Sequence, residues 1–168
     1  MEAEQNVRSY LADGLLKKTR AEENVVKIFV RNAKESLLVA ESISGISDLW
    51  VIVCSYYSMF YYANAALLSY GYKVGSKVVH KVTADAMIVY GRKHLKDVLI
   101  EEFEEVKDEA LNIAGVRADE IASYLDFERN KRGLIQYKTL ESDKQKKART
   151  SLQRAKEFAK ELEKVLLR

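Results

Sequence analysis

The segment Phe127-Glu-Arg-Asn-Lys-Arg-Gly-Leu-Ile-Gln-Tyr137 gathers the side chains best suited to hold a phosphate. Arg129 and Arg132 lie three residues apart, so on a helix they share a face and could clamp one phosphate between two guanidinium forks. Tyr137 could stack on a base or donate its hydroxyl to a phosphate oxygen. The same pattern also reads as a basic helix C-terminus, favoured by the macrodipole, followed by a core tyrosine. Only two histidines, His80 and His94, are present, and neither has a Cys or carboxylate cluster beside it at ligand spacing. Carboxylates recur at helical spacing from Glu101 to Glu109, but no Glu-x-x-His motif exists to complete a di-metal bundle site. The expectation is therefore no metal and no cofactor. The lone Cys54 sits in an apolar run where nothing stabilises a thiolate, so it reads as a small hydrophobe.

Charge is polarised along the chain although the net is only +3. Residues 97–128 carry eleven acids against Lys107 and Arg117, and residues 129–149 carry eight bases against Glu141 and Asp143. Such a sign change fits either two solvated helix faces that pair with each other or an electropositive patch for phosphate.

The elements that must position these groups read as helices. The 168 residues contain no proline and seven glycines, which argues for long helices and few turns. Ser47 to Gly71 is apolar on every side, holds five tyrosines and has no charge after Asp48. Such a helix is the centre of a bundle or a membrane span. Interspersed Ser, Ala and Asn, and phenol hydroxyls that need partners, favour the bundle, with Tyr56, Tyr57, Phe60 and Tyr61 mostly inside. Ahead of it, 21–44 is amphipathic, and residues 1–20 are expected to form a loosely attached helix. A fourth helix is expected from Ser76 or Lys77 to Tyr90, ended by Gly91. The acidic segment from Lys93 is expected to break or kink at Gly115. The last helix opens on a Ser142-x-x-Gln145 capping box and carries a narrow Ala/Leu seam. Residues 1–168 thus form a single domain, an all-α, up-and-down bundle of four to six helices. The first twenty residues mix Glu, Arg, Asp and Lys and lack a signal-peptide core, and one cysteine permits no internal disulfide, so a cytoplasmic location is expected.

Two stretches together resemble a known superfamily. SYYSMFYYANAALLSYGYK followed by GSKVVHKV is similar to the central helix and turn of HEPN domains (higher eukaryotes and prokaryotes nucleotide-binding). ERNKRGLIQY, with the charged last helix after it, resembles their second half. The resemblance spans about residues 22–166 and points to the small stand-alone prokaryotic branch. It implies a helical homodimer that binds RNA or a nucleotide, often beside a small nucleotidyltransferase partner in toxin–antitoxin systems. Many members are metal-independent ribonucleases. Their motif runs Arg, a polar residue, then His after four to six positions. Arg129-Asn130 fits the opening, but Leu134, Ile135 and Gln136 stand where the histidine belongs. An alternative alignment sets Arg132 before Gln136-Tyr137, with Gln in place of an expected Asp. Gln cannot exchange a proton near neutrality, and a tyrosine with pKa near about 10 is a poor base.

By the resemblance, Arg129, Arg132 and Tyr137 are the catalytic candidates, with Asn130, Lys131, Gln136 and His80 as nucleotide or RNA contacts. Any residual ribonuclease activity is expected to be weak. His80 matches the family histidine after the central helix, whereas its spacing from Val78 and Val82 suggests a local cap or hydrogen bond. The alternative reading is a non-catalytic interaction module, either a homodimer or the partner of a nucleotidyltransferase. A third is a small-molecule-binding bundle whose tyrosines line a cavity.

Overall fold

The computed structural model describes residues 2–126 and 141–166, with side chains described at 2–113 and 143–166. The described residues form six α-helices and one two-stranded ribbon, so the all-α bundle stands. The order is α1 (Glu2–Ala12), β1 (Leu16–Lys18), α2 (Glu23–Ser42), α3 (Asp48–Ser69), β2 (Tyr72–Val74), α4 (Val79–Tyr90), a 3-10 turn (Gly91–Lys93), α5 (Asp97–Asp126) and α6 (Glu141–Leu166).

The apolar α3 is the hub. Thirteen of its residues are buried, which requires neighbours on several sides, and α2, α6, α5 and α4 supply them. Length and hydropathy alone would let α3 cross a membrane, but 72% of its apolar window is buried inside the protein. Ion pairs set the directions of the outer helices. Lys34–Glu163 (3.0 Å) and Lys156–Glu41 (2.9 Å) run α2 antiparallel to α6. Lys147–Glu109 (3.3 Å), Arg154–Glu102 (3.6 Å) and the stacked Phe103–Phe158 rings (5.5 Å) do the same for α5 and α6.

Several boundaries differ from expectation. Residues 1–20 do not hang loosely. Val7 and Leu16 belong to the core, and Tyr10 Oη and Asn6 Nδ2 both donate to Asp85 on α4, at 2.8 and 3.1 Å. The ribbon then pairs Leu16 with Val74 and Lys18 with Tyr72 in antiparallel register. Gly71, at φ +87°, makes the turn out of α3, and a Cβ on Gly75 would stand 3.1 Å from the Leu15 carbonyl oxygen. Helix α4 starts at Val79 rather than Ser76 or Lys77, because Val78 adopts a left-handed φ of 45° that interrupts a helix. Helix α5 continues through Gly115 without the expected break; the cost of an interior glycine, about 1 kcal/mol, is small against a 30-residue helix. Helix α6 is already formed at Glu141, so Ser142 is not its N-cap.

Candidate functional site

Where α3, α4 and α5 meet, a buried tyrosine holds a half-exposed histidine. Tyr56, on the inner face of α3, is 1% exposed. Its hydroxyl lies 2.7 Å from His80 Nδ1, at the second residue of α4. Burial, helped by Tyr57 and Asp108, pushes the Tyr56 phenol pKa well above its usual value, so the hydroxyl stays protonated. A buried O–H left without an acceptor costs about 1–3 kcal/mol, which favours Tyr56 as donor and Nδ1 as acceptor. The ring proton then sits on Nε2, which becomes a hydrogen-bond donor rather than a proton acceptor.

Three aromatic rings fix the imidazole. Phe60 lies 4.8 Å from it, Tyr56 5.5 Å, and Tyr57 meets it edge-on at 6.1 Å and 83°. Tyr57 is 37% exposed, so it presents a ring face at the surface beside His80. From α5, Phe103 stacks on Tyr56 at 6.1 Å, and Lys107 follows one turn later on the same side. The Lys107 side chain is 15% exposed and pairs with Asp108 at 3.1 Å. Burial first, and the Lys107 charge second, hold the His80 pKa below its ordinary value of 6.5, so the imidazole is neutral at pH 7. A neutral N–H donor, a cation and an exposed aromatic ring therefore stand side by side, a set able to bind a phosphate and stack a base.

Of the residues singled out in the sequence, His80 falls within this cluster. Its partner is not local, as spacing suggested, but 24 residues away on α3. Arg129, Asn130, Lys131, Arg132, Gln136 and Tyr137 lie outside the described residues. The tyrosine run divides differently from expectation: Tyr56 and Tyr62 are fully buried, Phe60 and Tyr61 partly, and Tyr57 is exposed. Two members of the cluster escape a reading of the sequence. Tyr56 reads simply as core, and Lys107 as one of two bases in an acidic run; its i+4 spacing from Phe103 is the available signal. His94 is exposed as expected, yet stacks on Tyr70 at 4.3 Å and 18°. Burial pushes the Cys54 thiol pKa up, away from nucleophilic use. Among the described residues no three His, Cys, Asp or Glu side chains come together to hold a metal ion.

No family model, curated protein or solved structure matches this chain.

Proposed function

We propose that this chain is a cytoplasmic, HEPN-like protein that binds RNA or a nucleotide, with ribonuclease activity weak or lost. One observation carries the reading: a neutral His80, braced by buried Tyr56, stands between exposed Tyr57 and Lys107. Tyr57 would stack an unpaired base, and His80 Nε2–H with Lys107 would meet phosphate oxygens. Arg129, Arg132 and Tyr137 remain the sequence's candidates for further phosphate contacts, with Asn130, Lys131 and Gln136 beside them.

Binding is favoured over cleavage on chemical grounds. Cleavage of the expected kind needs a base to take the ribose 2′-hydroxyl proton and an acid for the leaving oxygen. Gln136 can do neither, and His80 has its acceptor nitrogen committed to Tyr56. The test is titration of labelled single-stranded RNA in EDTA, followed by a cleavage assay on the same samples. Binding that weakens about tenfold in Tyr57→Ala, with little cleavage, is expected. Robust cleavage abolished by Tyr137→Phe would overturn the second half of the reading. A role in a toxin–antitoxin pair, beside a small nucleotidyltransferase, is part of the proposal and rests on the sequence resemblance.

A second reading, a non-catalytic interaction module, is favoured by one specific observation. Ile28, Val39, Ile46 and Trp50 are exposed large hydrophobics on α2 and at the α2–α3 corner.

A further inference from the structure

Helix α2 shows two outward surfaces of different kind. One carries Lys27, Arg31 and Lys34 with their acidic partners Glu23, Glu35 and Glu163. The other has no charge along its whole length: Val25, Ile28, Asn32, Ser36, Val39 and Ile43 follow at steps of three and four, which keeps them on one side. The Ser36 hydroxyl is already satisfied by the Asn32 carbonyl at 2.9 Å, so it demands no water. This stripe continues onto α3, where Phe29 meets Tyr61 at 6.4 Å. There Trp50, Val53, Cys54, Tyr57 and Tyr61 recur at the same steps, again without charge.

Ile28 and Val39 are 47% and 46% exposed, and Trp50 is 56% exposed. Scattered exposed hydrophobics need no explanation, but a continuous uncharged face on two adjacent helices does. Taking α2 as about 30 Å long and a helix pair as about 20 Å wide, the face covers roughly 600 Å². Two such faces bury about 1,200 Å², the lower end for a specific interface.

We infer that this face binds a second copy of the chain through a two-fold axis, with the two α2 helices antiparallel. The pattern is self-complementary about the midpoint of residues 33 and 34. Ile28 of each copy falls on Val39 of the other, two positions of matching exposure. At the border, Arg31 and Glu35 are 3.9 Å apart within the chain, and both are 68% exposed. The antiparallel arrangement sets Arg31 of each copy beside Glu35 of the other, so the rim charges attract. An uncharged centre avoids the like-charge contacts that a two-fold axis otherwise creates. Tyr57 lies on the same continuous face, so the second copy would stand next to the His80 cluster.

Light scattering on the full chain across a concentration series tests this independently of RNA binding. Wild type should be dimeric, and Ile28→Lys or Val39→Glu should each raise the dimer dissociation constant at least about tenfold. Circular dichroism melts of both variants should match wild type, since both positions are exposed. Mixing the two variants should restore a dimer, because the introduced lysine of one copy then faces the introduced glutamate of the other. Wild type that stays monomeric throughout would overturn the inference, as would single variants that remain dimeric or a mixture that fails to re-associate. Co-flotation of wild type with phosphatidylcholine vesicles in place of dimer formation would overturn it too.

Discussion

Tyr56 and Tyr62 lie six residues apart on α3, each 1% exposed and each bonded through its hydroxyl to an ionisable group at 2.7 Å. The partners decide what each tyrosine is for. Tyr62 donates to Glu163, whose carboxylate is also held by Lys34 at 3.0 Å, so α2, α3 and α6 are tied by one closed network. Those two bonds hold the Glu163 pKa below the usual carboxylate range. Tyr56 instead braces His80, which has Tyr57 and Lys107 at its sides. One hydroxyl closes the bundle, and the other holds a side chain ready at its surface. Equal burial of two like residues therefore says little about role; the protonation state and exposure of the partner say more.

The largest effect expected is common to both. Tyr62→Ala and Tyr56→Ala should each cost about 3–5 kcal/mol, because each removes a fully buried ring. Denaturant melts showing either change below about 1 kcal/mol would break the claim of equal burial. Removing only the hydroxyl should separate the pair. Tyr62→Phe should cost about 1–2 kcal/mol, because the bond lost runs to a charged acceptor, while RNA binding stays unchanged. Tyr56→Phe should cost about 1 kcal/mol and also let the His80 pKa rise towards 6.5, read by NMR titration of the imidazole. A His80 titration that is indifferent to Tyr56→Phe would mean that the bond does not set the tautomer.

A smaller effect concerns acid. His80 takes up a proton less readily folded than unfolded, so its contribution to stability is complete above about pH 6.5. That contribution is lost as pH falls through the depressed folded value. His80→Asn should flatten the fall in melting temperature below pH 6.5 and leave the value at pH 8 nearly unchanged. Identical pH profiles for variant and wild type would show that His80 is not protonated less readily in the fold.

The helices were largely readable because each follows from local spacing. The absent proline, the uncharged run of α3 and the Ala/Leu seam of α6 need no tertiary knowledge. The misreadings share a cause, which is pairing over long sequence distance. Leu16–Lys18 and Tyr72–Val74 are too short to show alternation, and they pair only because α1 and α4 bring them together. The left-handed Val78 that sets the start of α4 is a conformation its residue type disfavours, so no propensity signals it. The site was half readable. His80 stood out as one of two histidines, but its link to Tyr56 spans 24 residues and that to Lys107 depends on how α5 crosses α3 and α4.

The central claim is that the His80 cluster is a binding surface, whereas the Tyr62 network is structural. Titrating single-stranded RNA against wild type, Tyr57→Ala and Tyr62→Phe at one fixed salt concentration tests it most directly. The account predicts about tenfold weaker binding for Tyr57→Ala at an unchanged melting temperature, and unaltered binding for Tyr62→Phe despite its lower melting temperature. Equal affinity for wild type and Tyr57→Ala, or no binding by wild type, would contradict it.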